Sequence, residues 1–225
     1  MAVISRESVV DLLFDQGPKF HSLTDDEVIS YAIQRPVLEW FVRHLPSDAR
    51  TLETGCGYTT VVLACLAARH TTISPGADEH QRIRHWCESH DLSLAHVQFF
   101  AERSQAVLPG LSDEPLDCVL IDGDHAFPAP FIDWYYTAER IVEGGHVIID
   151  DVQIPTGGIL RDFLAQEEGR WRAVAEIDKT CVFQKITSAP VAVGMRWMEQ
   201  PFCRIPVSAT LRRVGNRLRS AFTSG

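Results

Sequence analysis

Between Arg50 and Asp150, strand-length apolar segments alternate with helix-length amphipathic ones, and few architectures accommodate that alternation. Strands are expected near Arg50–Glu53, His70–Ser74, Val97–Ala101, Asp117–Asp122 and His146–Asp150. Helices are expected at about Thr59–Ala68, Asp78–Ser89 and Ser104–Leu111. Another runs through Phe131, Trp134, Tyr135, Ala138 and Ile141, at helical spacing, to a C-cap at Gly144–Gly145. A further helix is expected over Gly158–Glu168. Beyond it, Trp171–Ile177 and Thr180–Ile186 flank an Asp178–Lys179 turn and read as a terminal antiparallel pair. The expected fold is therefore α/β, a Rossmann-like three-layer αβα sandwich around a mostly parallel, doubly wound sheet with a terminal antiparallel strand. Such sheets bind ligands beyond the carboxyl ends of their strands, where the strand order reverses.

Upstream, Thr24 and Glu27 form a capping-box pattern, which predicts a helix carrying Val28, Ile29, Ala32 and Ile33 on one face. Pro36 suits the first turn of the next helix, with Val37, Trp40 and Phe41 inward. The six cysteines show no paired spacing, and several sit in apolar runs, so they read as buried thiols of a reducing compartment. The N-terminus lacks the apolar stretch of a leader, and no apolar run is long enough to span a bilayer. A cytoplasmic location is the expectation. The net charge of −9 argues against a general nucleic-acid binder, which needs a basic surface.

The run TLETGCGYTTVVLA sets an acid, two glycines and a helix start directly after the first core strand. Glycines there let the backbone approach a ligand closely. A dinucleotide fingerprint needs a third glycine where Thr60 stands, which weakens an NAD-type oxidoreductase reading. Two later strand ends carry acids: IDGDH supplies Asp122, Asp124 and His125, and IIDDV supplies Asp150 and Asp151. Adjacent strands would bring these carboxylates together, and such a cluster needs protons or a cation. An all-oxygen set suits Mg²⁺, Mn²⁺ or Ca²⁺ better than zinc. Asp124 reads as a cap for the next helix.

The acid-G-x-G turn resembles the first motif of class I S-adenosylmethionine-dependent methyltransferases. The stretch ERSQAVLPGL…LDCVLIDGDH…GGHVIIDDV is similar to the metal-dependent small-molecule O-methyltransferases of the catechol, caffeoyl-CoA and macrocin type, in order over roughly residues 50–185. That resemblance implies that Gly55 and Gly57 line the methionine part of S-adenosyl-L-methionine, with Glu53 near its amino group, and that Ser104 and Gln105 hold the adenine. It also implies that Asp122, Asp150 and Asp151 ligate a divalent metal, Mg²⁺ by preference, with Asp122 bordering the cofactor as well. His125 falls where the family keeps its general base. One element departs from the pattern: Ser74 stands where an acid usually binds the ribose hydroxyls, so Ser74 or nearby Asp78 would have to substitute.

By the same resemblance residues 1–187 form the methyltransferase domain, with 1–48 an N-terminal helical acceptor or cap segment and 49–187 the cofactor-binding core. Residues 188–225 form a basic tail with six arginines against the single acid Glu199. Its Leu211, Val214, Leu218 and Phe222 share a helical face that can dock to a membrane, a partner or its own acidic body; docking on that body or on a sister subunit, the latter giving a homo-oligomer, is the expectation. The expected reaction is methyl transfer to a hydroxyl oxygen of a small molecule such as a sugar or phenol. A non-catalytic S-adenosylmethionine-binding accessory protein is the alternative from another class.

Overall fold

The computed structural model describes residues 4–24, 27–190 and 194–204. The chain divides into two compact units, Met1–Ala189 and Pro190–Gly225. In the first, helix α1 (Val9–Gln16) precedes a short hairpin of β1 (His21–Ser22) and β2 (Val28–Ile29), and then α2 (Arg35–His44). The core alternates β3 (Arg50–Thr54), α3 (Tyr58–Leu66), β4 (Arg69–Ile73), α4 (Ala77–Ser89), β5 (Val97–Phe100) and α5 (Ser104–Val107). It continues with β6 (Leu116–Ile121), α6 (Ala129–Thr137), β7 (Ile141–Ile149), α7 (Pro155–Gln166), β8 (Trp171–Ile177) and β9 (Thr180–Lys185).

The seven-stranded sheet has the order β5-β4-β3-β6-β7-β9-β8. Strands β3 to β7 run parallel, and β9 pairs antiparallel with both β7 and β8. From β3 the chain builds outward to β5, then returns to lay β6 on the other side, so the strand order reverses between β3 and β6. In register, Thr54 lies opposite Ile73 on one side and Ile121 on the other, which brings three carboxyl ends level. Both sheet faces are covered. In β6 the alternating Cys118 and Leu120 pack with α1 to α4, while Val119 and Ile121 pack against Leu160 and Leu164 of α7. This is the continuous apolar strand expected of a parallel sheet buried on two sides.

Two local expectations are corrected, and one helix was not foreseen. No helix follows Thr24: Val28 and Ile29 pair antiparallel with Ser22 and His21. Thr24 Oγ1 does accept the Glu27 N–H (3.1 Å), as a cap would, but the Leu23 N–H bonds Glu27 O (2.8 Å) and the chain reverses. Threonine side chains close turns by the same bond that starts helices. Nor do Gly144 and Gly145 cap a helix. That helix, α6, ends at Thr137, and both glycines lie in β7, where the partners of Leu116 and Cys118 jump from Ile141 to His146. Gly144 takes φ +86°, and a Cβ on Gly145 would lie 3.0 Å from Asp117 O, so the irregularity needs both. Finally, α1 lies in a stretch read only as lacking a leader's apolar run; its Val9, Val10 and Leu13 are buried in the core.

In the second unit the described residues form two short 3₁₀ turns, Gly194–Glu199 and Pro201–Cys203. The amphipathic face through Leu211, Val214, Leu218 and Phe222 lies outside the described residues. Among the described residues no helix is long and apolar enough to cross a membrane.

Candidate active site

The glycine turn owes its shape to a side-chain chain buried beneath it. Thr60, in the place of a third glycine, accepts the Gly57 N–H (2.9 Å) and donates its hydroxyl to Glu53 Oε1. The same carboxylate oxygen meets His70 Nε2 at 3.1 Å, and His70 Nδ1 meets Thr51 Oγ1 at 2.8 Å. Glu53 and His70 are fully buried. Glu53 therefore lies under the turn and does not line the cavity above it; nor does Gly57, whose Cβ position faces the His21 ring at 3.1 Å. Gly55 does line the cavity. It has φ +93°, and a Cβ there would fall 2.2 Å from Asp122 O, so β3 and β6 can meet only at a glycine.

The cavity over these strand ends has a volume of about 720 Å³, within the range of small-molecule and cofactor sites. Thr54, Gly55 and Cys56 supply its floor from β3, and Ile73 and Ser74 a wall from β4. Ser104 and Gln105, joined by a 3.4 Å hydrogen bond, line it from the start of α5. The N-terminal segment closes over it through Tyr31 and His21. The His21 ring is gripped at both nitrogens, by Cys56 O (2.8 Å) and the Tyr31 N–H (3.0 Å).

Ser74 does not stand alone. Glu79, in the first turn of α4, brings Oε2 to 3.5 Å from Ser74 Oγ and from Cys56 Sγ, while its Oε1 accepts the Ser22 N–H at 3.3 Å. Gly76 leaves room for this side chain to fold back, since a Cβ there would collide with Glu79. Glu79 lines the cavity; Asp78 faces a separate surface groove with Lys19 and Arg82. The carboxylate beside Ser74 is thus supplied by a residue that the strand-end pattern did not single out.

At the acidic end, β6 and β7 deliver Asp122, His125, Asp150 and Asp151 to the same cavity, as their positions after adjacent strands required. Donor atoms of Asp122, His125 and Asp151 all lie within 4.8 Å of one another, a grouping able to hold a metal ion. His125 Nε2 is 3.1 Å from Asp151 Oδ2, and Thr156 Oγ1 donates to the His125 carbonyl (2.6 Å), fixing its loop. Asp150 is turned aside: Thr180 Oγ1 donates to its Oδ1, and Lys179 Nζ stands 3.5 Å from its Oδ2. Lys179, also missed in the sequence, contacts Asp151 Oδ1 at 2.5 Å. Asp124 does not cap the next helix as expected: it accepts the Ala126 N–H (2.9 Å) in a local turn, and α6 begins only at Ala129, behind Pro128.

The electrostatics follow from this crowding. Burial, then the charges of Asp150, Asp151 and Glu53, push the Asp122 carboxyl well above the usual range, with Lys179 relieving part of the effect. Burial works the same way on Asp151, but hydrogen bonds from Lys179 and Gln153 and the charge of Lys179 outweigh it and hold that carboxyl low. The Asp122 and Asp151 oxygens that converge there, with the His125 ring beside them, fit a divalent cation of the Mg²⁺ or Mn²⁺ kind through the carboxylates.

Residues 52–152, from the glycine turn to the second acid pair, match a methyltransferase-domain family. No curated protein matches the sequence. Among solved structures, a candidate methyltransferase from Streptococcus mutans in complex with SAH superposes with a TM-score of 0.53 at 15% identity, covering 69% of this chain and 100% of that one. A candidate caffeoyl-CoA O-methyltransferase from Staphylococcus aureus gives 0.59 at 15% identity, over 82% and 93% of the two chains. An rRNA methylase from Streptococcus thermophilus gives 0.54 at 11% identity, over 69% and 99%. Residues 52–152 are thus similar to a methyltransferase-domain family, and the fold around them is the Rossmann-like αβα fold that these solved structures share.

Proposed function

We propose that the protein transfers the methyl group of S-adenosyl-L-methionine to a hydroxyl oxygen of a small molecule, with a divalent metal held beside His125. The observation that carries this reading is the shared cavity. Gly55, Ser74, Glu79, Ser104 and Gln105 line the same space as the acid–histidine cluster. Glu79 accepts hydrogen bonds from the ribose hydroxyls, taking the part that Ser74 cannot. Ser104 and Gln105 offer the paired donors and acceptors that an adenine edge requires.

Asp122 and Asp151, with Asp150 next to them, are the residues that would hold the metal. A divalent cation held by them would supply Lewis acidity, which lowers the pKa of a hydroxyl. His125 then takes the hydroxyl proton. With Nε2–H directed to Asp151, Nδ1 is the atom left to accept it. The attacking oxygen gains the methyl and the sulfonium leaves as a neutral thioether, so alignment of the two reactants is where the protein contributes most. Action on rRNA would call for a basic surface around the site, whereas residues 1–187 carry 15 basic against 29 acidic side chains.

The direct test incubates the protein with S-adenosylmethionine labelled in its methyl group and a panel of vicinal diols, catechol and a hexose among them, with Mg²⁺ or with a chelator. Label should enter an ether product, should fall at least ~100-fold in His125→Ala, in keeping with loss of a general base, and should require the metal. Transfer that is indifferent to chelator contradicts the metal part alone. Binding of the cofactor with no transfer to any hydroxyl, alongside an intact fold, favours the accessory-protein alternative.

A further inference from the structure

The turn between β8 and β9 sends one basic side chain into the acidic end of the cavity. Lys179 Nζ donates to Asp151 Oδ1 at 2.5 Å and lies 3.5 Å from Asp150 Oδ2. The turn that carries it is fixed on two sides. The Val152 N–H donates to Lys179 O (3.0 Å), and Gln34 Nε2 donates to Asp178 Oδ2 (2.9 Å). The lysine is therefore held at the cluster by backbone and side chain together, and does not merely drift there from the surface. An alkylammonium carries its full positive charge at neutral pH.

The remaining oxygens are also taken. Thr180 occupies Asp150 Oδ1, His125 lies against Asp151 Oδ2, and Gln153 Nε2 donates to Asp151 Oδ1 at 2.8 Å. Lys179 thus covers the one Asp150 oxygen that Thr180 leaves open, and shares the outer oxygen of Asp151. These two acids, with Asp122, are those the proposed function gives to the metal. An ammonium and a divalent cation bound through the same carboxylates would lie a few ångströms apart, where like charges repel strongly in a half-enclosed site.

We propose that Lys179 is a tethered competitor for the divalent cation: its ammonium closes the Asp150–Asp151 side of the metal site, and the cation enters by displacing it. The inference rests on the metal-site reading above and adds a control to it. An ion held against an internal competitor exchanges readily, so methyl transfer follows the free concentration of divalent cation and does not rely on a permanently held ion. Displacement also opens Asp150 Oδ2 and leaves Asp151 Oδ1 with Gln153 as its remaining donor, adding Asp150 to the carboxylates that face the ion.

The test is Mn²⁺ binding to the full chain, read by calorimetry and by the electron paramagnetic resonance of free Mn²⁺, in the wild type, Lys179→Met and Lys179→Gln. Circular dichroism checks that each variant is folded, and Lys179→Gln keeps a donor for Asp151 should the methionine variant fail to fold. Both variants are expected to bind Mn²⁺ at least ~10-fold tighter than the wild type, from loss of the opposing charge, and to gain more thermal stability from it. Equal or weaker binding in folded variants, with Mn²⁺ still bound by the wild type, overturns the competitor role and leaves the metal site standing. No Mn²⁺ binding in any of the three overturns the metal site and the competitor with it.

Discussion

Thr60 shows how one side chain can replace a glycine motif by other means. Its hydroxyl links the Gly57 N–H to Glu53, so the turn is held from below by a side chain and does not depend on a third close backbone approach. Thr60→Val keeps the shape and strands a buried carboxylate and a backbone donor. It should lower stability by about 1–3 kcal/mol, the penalty for an unmet buried polar group, as read from urea denaturation, whereas Thr60→Ser should lose much less. Glu79 makes the second prediction at this scale. Glu79→Gln should weaken binding of S-adenosylhomocysteine by roughly 10-fold, as expected on losing a charged acceptor; Asp78→Asn, facing another groove, should leave it unchanged. Both residues explain where the sequence was readable. Glu53, Gly55 and Thr60 stand in one short run and announce a ligand turn. The Glu53–His70 contact arises only because Thr51 and His70 fall opposite each other across β3 and β4. Glu79 and Lys179 carry no motif, and only a helix turn and a hairpin fold bring them to the cavity.

At the level of elements, strand ends were legible and irregular segments were not. The five parallel strands follow apolar runs, and a parallel sheet covered on both faces leaves little freedom over where they lie. The β1–β2 hairpin escaped because two paired residues per strand leave no periodicity to read, while Thr24 and Glu27 imitate a helix start. The irregularity in β7 escaped because glycines mark both helix ends and bulges. That same strand carries His146, packed edge-on against Trp40 of α2 at 5.1 Å, with His44 stacked on Trp40 at 4.4 Å. Burial, and secondarily the charge of His44, lowers the His146 pKa from its ordinary 6.5 to about 4. The unfolded chain therefore takes up this proton near pH 6.5, and the folded chain only near pH 4. The stability it contributes is present above pH 6.5 and is lost as the pH falls from there toward 4. The urea midpoint of the wild type should drop between pH 7 and pH 5, and His146→Phe should flatten that drop. Identical pH slopes in the two proteins would contradict the assignment.

For the whole molecule, the reversal of strand order between β3 and β6 is the feature that matters. It opens a crevice at the carboxyl ends of the sheet, into which β3, β4, β6 and β7 each deliver short polar side chains. The N-terminal segment roofs that crevice, held by His21 to the Cys56 carbonyl and by the Ser22 N–H to Glu79. Glu79 thus serves the roof and the cavity together, and a ribose bound as proposed would share its carboxylate with the Ser22 N–H. The most direct test is a crystal structure of the protein grown with S-adenosylhomocysteine. The account predicts one molecule in the crevice, its ribose hydroxyls on Glu79, its adenine beside Ser104 and Gln105, and its sulfur turned toward Asp122. A molecule bound anywhere else, or none at saturating concentration, would contradict it.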